Sequence, residues 1–439
     1  MIQQETVLRN MRAWLAWGLL LWLLVVFLLA VPEPVLEKLL LIGAVVLAVS
    51  ASAAVARYGV WLVAGIGGLL AFAQLKYALQ PVLPLLILMT LLGFYYVLSV
   101  KFGRLLLIYL TASLLALALA EGYWAIGVTQ NMMQNHVVKT RTATLPVAAV
   151  PDPDLGFRYL PDAQITETKT WQGAPIFTAT YTTNTHGWRQ TPEGVVTAQA
   201  APVVFLGCSF VFGQGVADDQ TLVAAFERAA QGRWQGHNFS VPGYGAHQNV
   251  RLLERELERE PLAGRVPVAG IYVAVADHVP RAAGLRFWDQ GGPRYEIAPD
   301  GSAVYQGRLR DGIVGKLREL AMSAALTHRF IGYFEGTAVQ ERRYLALVLR
   351  MAQLFEARYH APFSVFYWGD EAMPTEQARI AALRQAGLRV YTLRQAIPDY
   401  DPQRDNYPYD GHPKPDAQRR VGEFLAAQLQ TDGSLKALP

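Results

Sequence analysis

A chain of 439 residues that is 52% hydrophobic yet 17% charged is too apolar for an ordinary soluble protein and too charged to lie wholly in a membrane, which implies a hybrid. Its net charge of +4 is small and spread along the chain, with no basic block interleaved with aromatics, so nucleic acid is excluded as a partner and attraction to anionic lipid head groups is the simpler account. The single cysteine, Cys208, excludes an internal disulfide.

The apolar excess lies before residue 130. Five runs, each near the roughly 20 residues that cross a bilayer, cover about 14–31, 35–54, 59–79, 82–100 and 105–128. Charge, Pro or Gly breaks them at "VPEP", "ARYG", "YALQP" and "KFGR". A signal peptide would be a single run followed by a small-residue cleavage site, so these are not one. Arg9, Arg12, Arg57, Lys101 and Arg104 fall on one side of the runs, Lys38 and Lys76 on the other. Positive residues near short loops stay in the cytoplasm. Residues 1–128 are therefore expected to be a multi-span α-helical membrane domain with the lipid bilayer as partner. Everything after Val128 is expected outside the cytoplasm, which for a bacterial inner-membrane protein means the periplasm or cell surface.

From Thr129 the chain turns polar and Pro-rich. "PDPDLGFRYLPDAQ" (151–164) reads as loop, and "PIFTATYTTNTHGWRQTP" (175–192) alternates apolar residues with Thr, the period-2 pattern of a strand that ends at the "NTHG" turn. Residues 129–200 are read as a β-containing lead-in, too short for much core of its own. Strand and helix patterns then alternate. "APVVFLG" (201–207), "GHNFSV" (236–241), "VAGIYVAVA" (268–276), "FSVFYWG" (363–369) and "RVYTL" (389–393) read as strands. "TLVAAFERAAQ" (221–231), "QNVRLLERELERE" (248–260), "EQARIAALRQAG" (376–387) and "DAQRRVGEFLAAQLQ" (416–430) read as helices. This rhythm predicts a parallel sheet covered by helices on both faces, with ligands at the carboxyl ends of the strands.

Several of those ends carry small, polar or ionisable residues. "GCSFVFGQG", "NFSVPGYG", "VAVADH" and "YDGHPKPDAQ" resemble, in order and spacing, the four blocks of the SGNH hydrolases, also called GDSL esterases and lipases. The resemblance covers roughly residues 201–430. "LGFRYLP" and "NTHGWR" look like the segment that precedes this domain in membrane-attached bacterial members. The resemblance implies an α/β/α three-layer sandwich, SGNH or flavodoxin-like with a parallel sheet, for residues 201–439.

Residue by residue, Ser209 matches the family's nucleophile, with Cys208 where Asp is usual. A serine hydroxyl is a weak nucleophile without an adjacent base. Cys208 is a rival, but neighbouring strand side chains point to opposite faces, so only one of the two can face the site; the other reading of Cys208 is a small buried apolar residue. His412 matches the base, and Asp410 is the residue expected to hold it. One residue separates them instead of the usual two, which leaves Asp401 and Asp405 open as substitutes. Gly243 matches the glycine whose N–H joins that of Ser209 in the oxyanion hole, and Gly245 is the candidate in a shifted register. Asp277 stands where the family uses an asparagine donor. A carboxylate donates only when protonated, a state that burial and developing negative charge would favour. His278, next to it, is open to a catalytic or a structural role. The remaining histidines show no metal-ligand spacing, and no phosphate loop or dinucleotide fingerprint is present, so neither metal nor cofactor is expected.

The resemblance implies an extracytoplasmic serine esterase or deacylase acting on acyl esters, acetyl esters among them, of cell-envelope glycans or lipids. Two alternatives stay open. One is an O-acyltransferase using the same site with a sugar acceptor, fed by a membrane acyl-transfer partner. The other is a non-catalytic module that binds glycan or organises an envelope complex.

Overall fold

The computed structural model describes residues 137–143, 148–192, 199–256, 262, 264–323 and 336–431. The five apolar runs lie outside the described residues, and among the described ones no helix is long and apolar enough to cross a membrane. The chain divides into two units, one of residues 132–311 with 336–439 and the other of residues 1–131 with 312–335. Within the second, the helix Gly312–Ser323 is the described element; all other described elements belong to the first.

The lead-in contains five strands: β1 (Val137–Ala143), β2 (Ala149–Asp152), β3 (Gly156–Tyr159), β4 (Gln164–Trp171) and β5 (Ala174–Thr182). β1, β4 and β5 form an antiparallel sheet in the order β1-β4-β5, and β2 pairs with β3. The β2–β3 hairpin corrects the expected loop at 151–164. Pro and Asp are depleted in strands, which hides so short a pair. Asp152 closes its turn by accepting from the Asp154 and Leu155 N–H groups at 2.9 and 2.8 Å. On β4 and β5 the period-2 pattern separates two faces. Thr166 meets Thr180 at 3.0 Å and Thr168 meets Thr178 at 3.2 Å on the outer face, while Ile165, Glu167, Phe177, Ala179 and Tyr181 are buried on the inner one. The apolar ones among them share one cluster with Val204, Leu206 and Tyr244, which lie beyond the lead-in.

After the lead-in come β6 (Ala201–Leu206), β7 (Trp234–Asn238), β8 (Ala269–Ala274), a hairpin of β9 (Pro293–Ile297) and β10 (Ala303–Arg308), then β11 (Phe363–Tyr367) and β12 (Arg389–Thr392). Five of them make a sheet in the order β12-β11-β8-β6-β7, parallel throughout. Alternation sorts its side chains into two cores. Val203, Phe205, Ile271, Val273 and Phe366 join the helices Leu222–Ala230 and Pro415–Thr431 on one face. Val204, Leu206, Tyr272, Val365 and Tyr367 join the helix Thr337–Tyr359 on the other. Each large apolar side chain so buried contributes about 1.5–3 kcal/mol. Gly422 lets the first two helices cross closely, because a Cβ there would lie 2.3 Å from the Leu222 carbonyl oxygen.

β7 covers Trp234–Asn238 where 236–241 was expected, the β9–β10 hairpin was not expected, and two helices differ from the sequence reading. The helix expected at 248–260 starts earlier, as Ala246–Arg251 with a π-turn at Leu252–Glu256, since the Gln248 side chain accepts from the Gly245 N–H at 2.7 Å and caps the first turn. The 23-residue helix Thr337–Tyr359 was not anticipated. In this strand order the chain reverses direction of travel between β6 and β8, and ligands bind at such switch points beyond the strand ends. β6 ends three residues before Ser209.

Candidate active site

Ser209 opens a four-residue helix, Ser209–Phe212, directly after the β6 turn. Gly207 makes the turn feasible: a Cβ there would lie 2.7 Å from Val211 Cγ2 and 3.1 Å from the Val273 carbonyl oxygen. Four side chains distant in sequence then hold this corner. Asn249 accepts from Gly207 N–H at 3.0 Å and donates to the Gly245 carbonyl at 2.8 Å. Asn238 donates to the Val211 carbonyl at 2.8 Å, and Gln418 to that of Phe210 at 2.9 Å. Arg189, buried, donates to the carbonyls of Phe212, Gly213 and Val216 at 2.9–3.0 Å and pairs with Asp218 at 2.7 Å. It thus satisfies the Phe212 carbonyl at the helix end and ties it to the turn that follows, where the Gly213 carbonyl also accepts from the Val216 N–H at 3.2 Å.

Ser209 Oγ lies 2.8 Å from His412 Nε2, and His412 Nδ1 is hydrogen-bonded to Asp410 Oδ1. With a carboxylate facing Nδ1, the proton sits there, and Nε2 is left to accept the serine proton. The one-residue spacing is made workable by a loop folded on itself. Gly411 has φ 84° and Tyr409 φ 61°, Gly411 N–H donates to the Tyr407 carbonyl at 2.9 Å, and Tyr407 N–H donates to that of His412 at 2.8 Å. The alternatives are engaged elsewhere: Asp401 caps the helix Pro402–Asp405 through the Gln403 N–H at 2.9 Å, and Asp405 pairs with Arg404 at 2.8 Å.

The Asp410 carboxylate is fully buried and also pairs with Lys169 of β4. Burial pushes its pKa up, but the hydrogen bond and charge of His412 and the Lys169 ammonium outweigh that, holding it well below the usual carboxylate range. Around the loop, Trp171 stacks on Tyr409 with centroids 4.0 Å apart and planes 7° from parallel, and Tyr407 donates to the Gly215 carbonyl at 2.9 Å. Cys208 is fully buried in the cluster that contains Val203, Val211 and Val273, with its Sγ 3.9 Å from Ser209 Oγ.

Gly243 sits in the loop after β7 with φ 97°, and a Cβ there would meet Trp288 Nε1 at 3.2 Å and the Phe157 ring at 3.4 Å. The Ser209 N–H is the first of its helix and has no intrahelical acceptor. Asp277 requires a correction. Burial raises its pKa, but the guanidiniums of Arg281 and Arg286 outweigh burial and lower it. It is therefore an anion paired with both arginines, and the protonated donor envisaged from sequence is ruled out. Arg281 in turn donates to the Tyr244 carbonyl at 2.7 Å, so Asp277 anchors the loop that carries Gly243. His278 is fully buried with Nδ1 2.6 Å from the Tyr272 hydroxyl; burial above all, then Arg281, pulls its pKa well below the ordinary value, leaving it neutral and structural. Among the described residues no His, Cys, Asp and Glu cluster is arranged to hold a metal.

Sequence reasoning missed Lys169, Arg189, Asn249 and Gln418. None carries a motif: Lys169 stands in a Thr-rich strand, where a lysine reads as a solvated residue.

The chain matches no protein-family model and no curated protein. It is similar to solved structures that each align over 96–98% of their own length and 52% of this chain. One is a lipolytic protein of the G-D-S-L family from Desulfitobacterium hafniense, at 12% identity and TM-score 0.28. Another is the esterase EstA from Pseudoalteromonas sp., at 14% and 0.29. A third is Est24, a carbohydrate acetylesterase from Sinorhizobium meliloti, at 10% and 0.29. At these identities and scores the contact geometry, and not the likeness, has to identify the chemistry.

Proposed function

We propose that this chain is a serine ester hydrolase of the SGNH type. The observation that carries the reading is the 2.8 Å contact between Ser209 Oγ and His412 Nε2 with the buried Asp410 carboxylate on Nδ1. Ser209 Oγ attacks the ester carbonyl and passes its proton to His412 Nε2, which gives it to the departing alkoxide. Water, deprotonated by the same nitrogen, then attacks the acyl-enzyme and restores the serine. The N–H groups of Ser209 and Gly243 are assigned to the oxyanion. Asp277 is not, since it accepts and cannot donate.

The substrate we assign is an acyl ester, acetyl included, on a cell-envelope glycan or lipid. Support comes from the apolar runs before residue 128 and their charge bias, which imply an inner-membrane protein with the site outside. Residues 129–200 are then the lead-in and 201–439 the hydrolase domain. The half-exposed Trp288 beside Gly243 and the exposed Tyr409 beside Asp410 also offer surfaces that suit a sugar ring or acyl chain.

The test is hydrolysis of p-nitrophenyl acetate by the full-length chain and by Ser209→Ala. Serine-dependent turnover supports the reading; equal rates reject it, along with any acyl-enzyme. Oligosaccharide acceptors added to the same assay separate transfer to sugar from transfer to water. A reporter fused after Val128 that is active in the cytoplasm would remove the envelope substrates.

A further inference from the structure

The inner face of β4 carries three side chains at alternate positions, and each reaches the site from outside the sandwich. Glu167 accepts from Gln214 at 2.6 Å, just past the nucleophile helix. Lys169 takes Asp410, and Trp171 stacks on Tyr409. Asp410 needs the middle one. Its carboxylate is fully buried while the Lys169 side chain is 17% exposed. The His412 N–H donates to Oδ1 at 3.2 Å, and the Gly411 N–H is given to the Tyr407 carbonyl. Oδ1 is occupied by His412, and Oδ2 has Lys169. A buried carboxylate oxygen left without a donor costs free energy and is free to rotate away.

We propose that Lys169, supplied by the lead-in sheet, is a positioning residue of the triad: its ammonium holds the Asp410 carboxylate in the orientation that takes the His412 Nδ1–H. The proposal rests on the catalytic reading of Ser209, His412 and Asp410. The charged and titratable groups that face the His–Asp pair are Ser209 from the nucleophile helix, Lys169 from β4 and Tyr407 from the loop itself, whose hydroxyl is made harder to ionise by burial first and then by Asp410. Lys169 is thus the cation set against the Asp410 anion. Removing it takes away an ammonium that repels positive charge on the ring, so the acid limb of activity moves up.

The experiment measures kcat and KM for p-nitrophenyl acetate against pH in the full-length chain. Lys169→Met should lower kcat about 10-fold to 100-fold at neutral pH, leave KM nearly unchanged and move the acid limb up by about one pH unit. Lys169→Arg should return the limb to the parent's position. Trp171→Leu, which loosens the same loop and keeps the charge, should lower kcat without moving the limb. If Lys169→Met does not fold, Lys169→Gln keeps a donor, removes the charge and must show the same displacement. A limb that stays put in the neutral variants, or moves equally in the arginine variant, overturns the role of Lys169. A parent whose Ser209 is not labelled by a fluorophosphonate removes the catalytic reading, and this role with it.

Discussion

The two sheets of the unit follow opposite rules and serve the site in opposite ways. β6 and β8 of the parallel sheet are buried at every residue and, apart from the Tyr272 hydroxyl that meets His278, carry apolar side chains, so that sheet contributes through its strand ends. The antiparallel sheet buries one face and leaves threonines on the other. It contributes through its face, lending Glu167 and Lys169 to the corners where the nucleophile and the acid sit. A sheet that reads as a lead-in is therefore part of the site's construction, and the ionic groups come from the side of the molecule with room for them.

Variants on the parallel side of this comparison should have the largest effects. Ser209→Ala should abolish hydrolysis and fluorophosphonate labelling, and Asp410→Asn should cost about 10⁴ in kcat, the scale of that change in other serine triads. Residual labelling at another residue would break the assignment. Next comes Arg189→Met, on the lead-in side. It leaves three carbonyls and Asp218 without their cation and should lower unfolding stability by about 3 kcal/mol in urea titration. A loss under about 1 kcal/mol would mean that the nucleophile corner does not depend on the lead-in.

Glu227 sharpens the contrast, for it is a buried anion on the parallel side held by a backbone N–H, that of Gly236 at 2.7 Å. Burial pushes its pKa up to about 7 against that hydrogen bond and Arg228. A raised folded-state pKa gives stability that is complete below the unfolded carboxyl value and is lost as pH rises through about 7. Glu227→Gln should remove that slope and leave the protein about 2 kcal/mol more stable than the parent above pH 7. Thermal melts across this window decide it, and an unchanged slope would contradict it. The smallest effect is expected for Asp277→Asn, a fall of a few-fold in kcat/KM as Arg281 loosens its hold on Tyr244, with no alkaline limb in either protein. A faster variant at neutral pH would return Asp277 to the oxyanion hole.

How far the sequence could be read follows the same division. β6, β8 and β11 are mostly apolar runs bounded by turns, so the pattern placed them, whereas β7, Trp-Gln-Gly-His-Asn, is polar enough that its expected position at 236–241 is two residues late at its start; the serine and histidine motifs sit where such a sheet presents ligands. Lys169 and Arg189 carry no such mark. A lysine in a Thr-rich strand looks like a solvated surface residue, and its partner Asp410 lies 241 residues away. The β2–β3 hairpin was hidden by the Pro and Asp that make its turn. Asp277 was misjudged for a related reason: its protonation is set by Arg281 and Arg286, and Arg286 meets it only because the chain after the short helix His278–Ala282 folds back.

His412 follows Ser209 by 203 residues, and that interval has a meaning in time. At the roughly 5–20 residues per second of protein synthesis, the proposed nucleophile is made about 10–40 s before its proposed base. Throughout that interval the hydroxyl is an ordinary alcohol, unable to acylate itself on whatever esters the nascent chain passes. On the proposed reading, competence arrives with the loop that carries Asp410 and His412, just ahead of the helix Pro415–Thr431, so a chain truncated before His412 is released without its base.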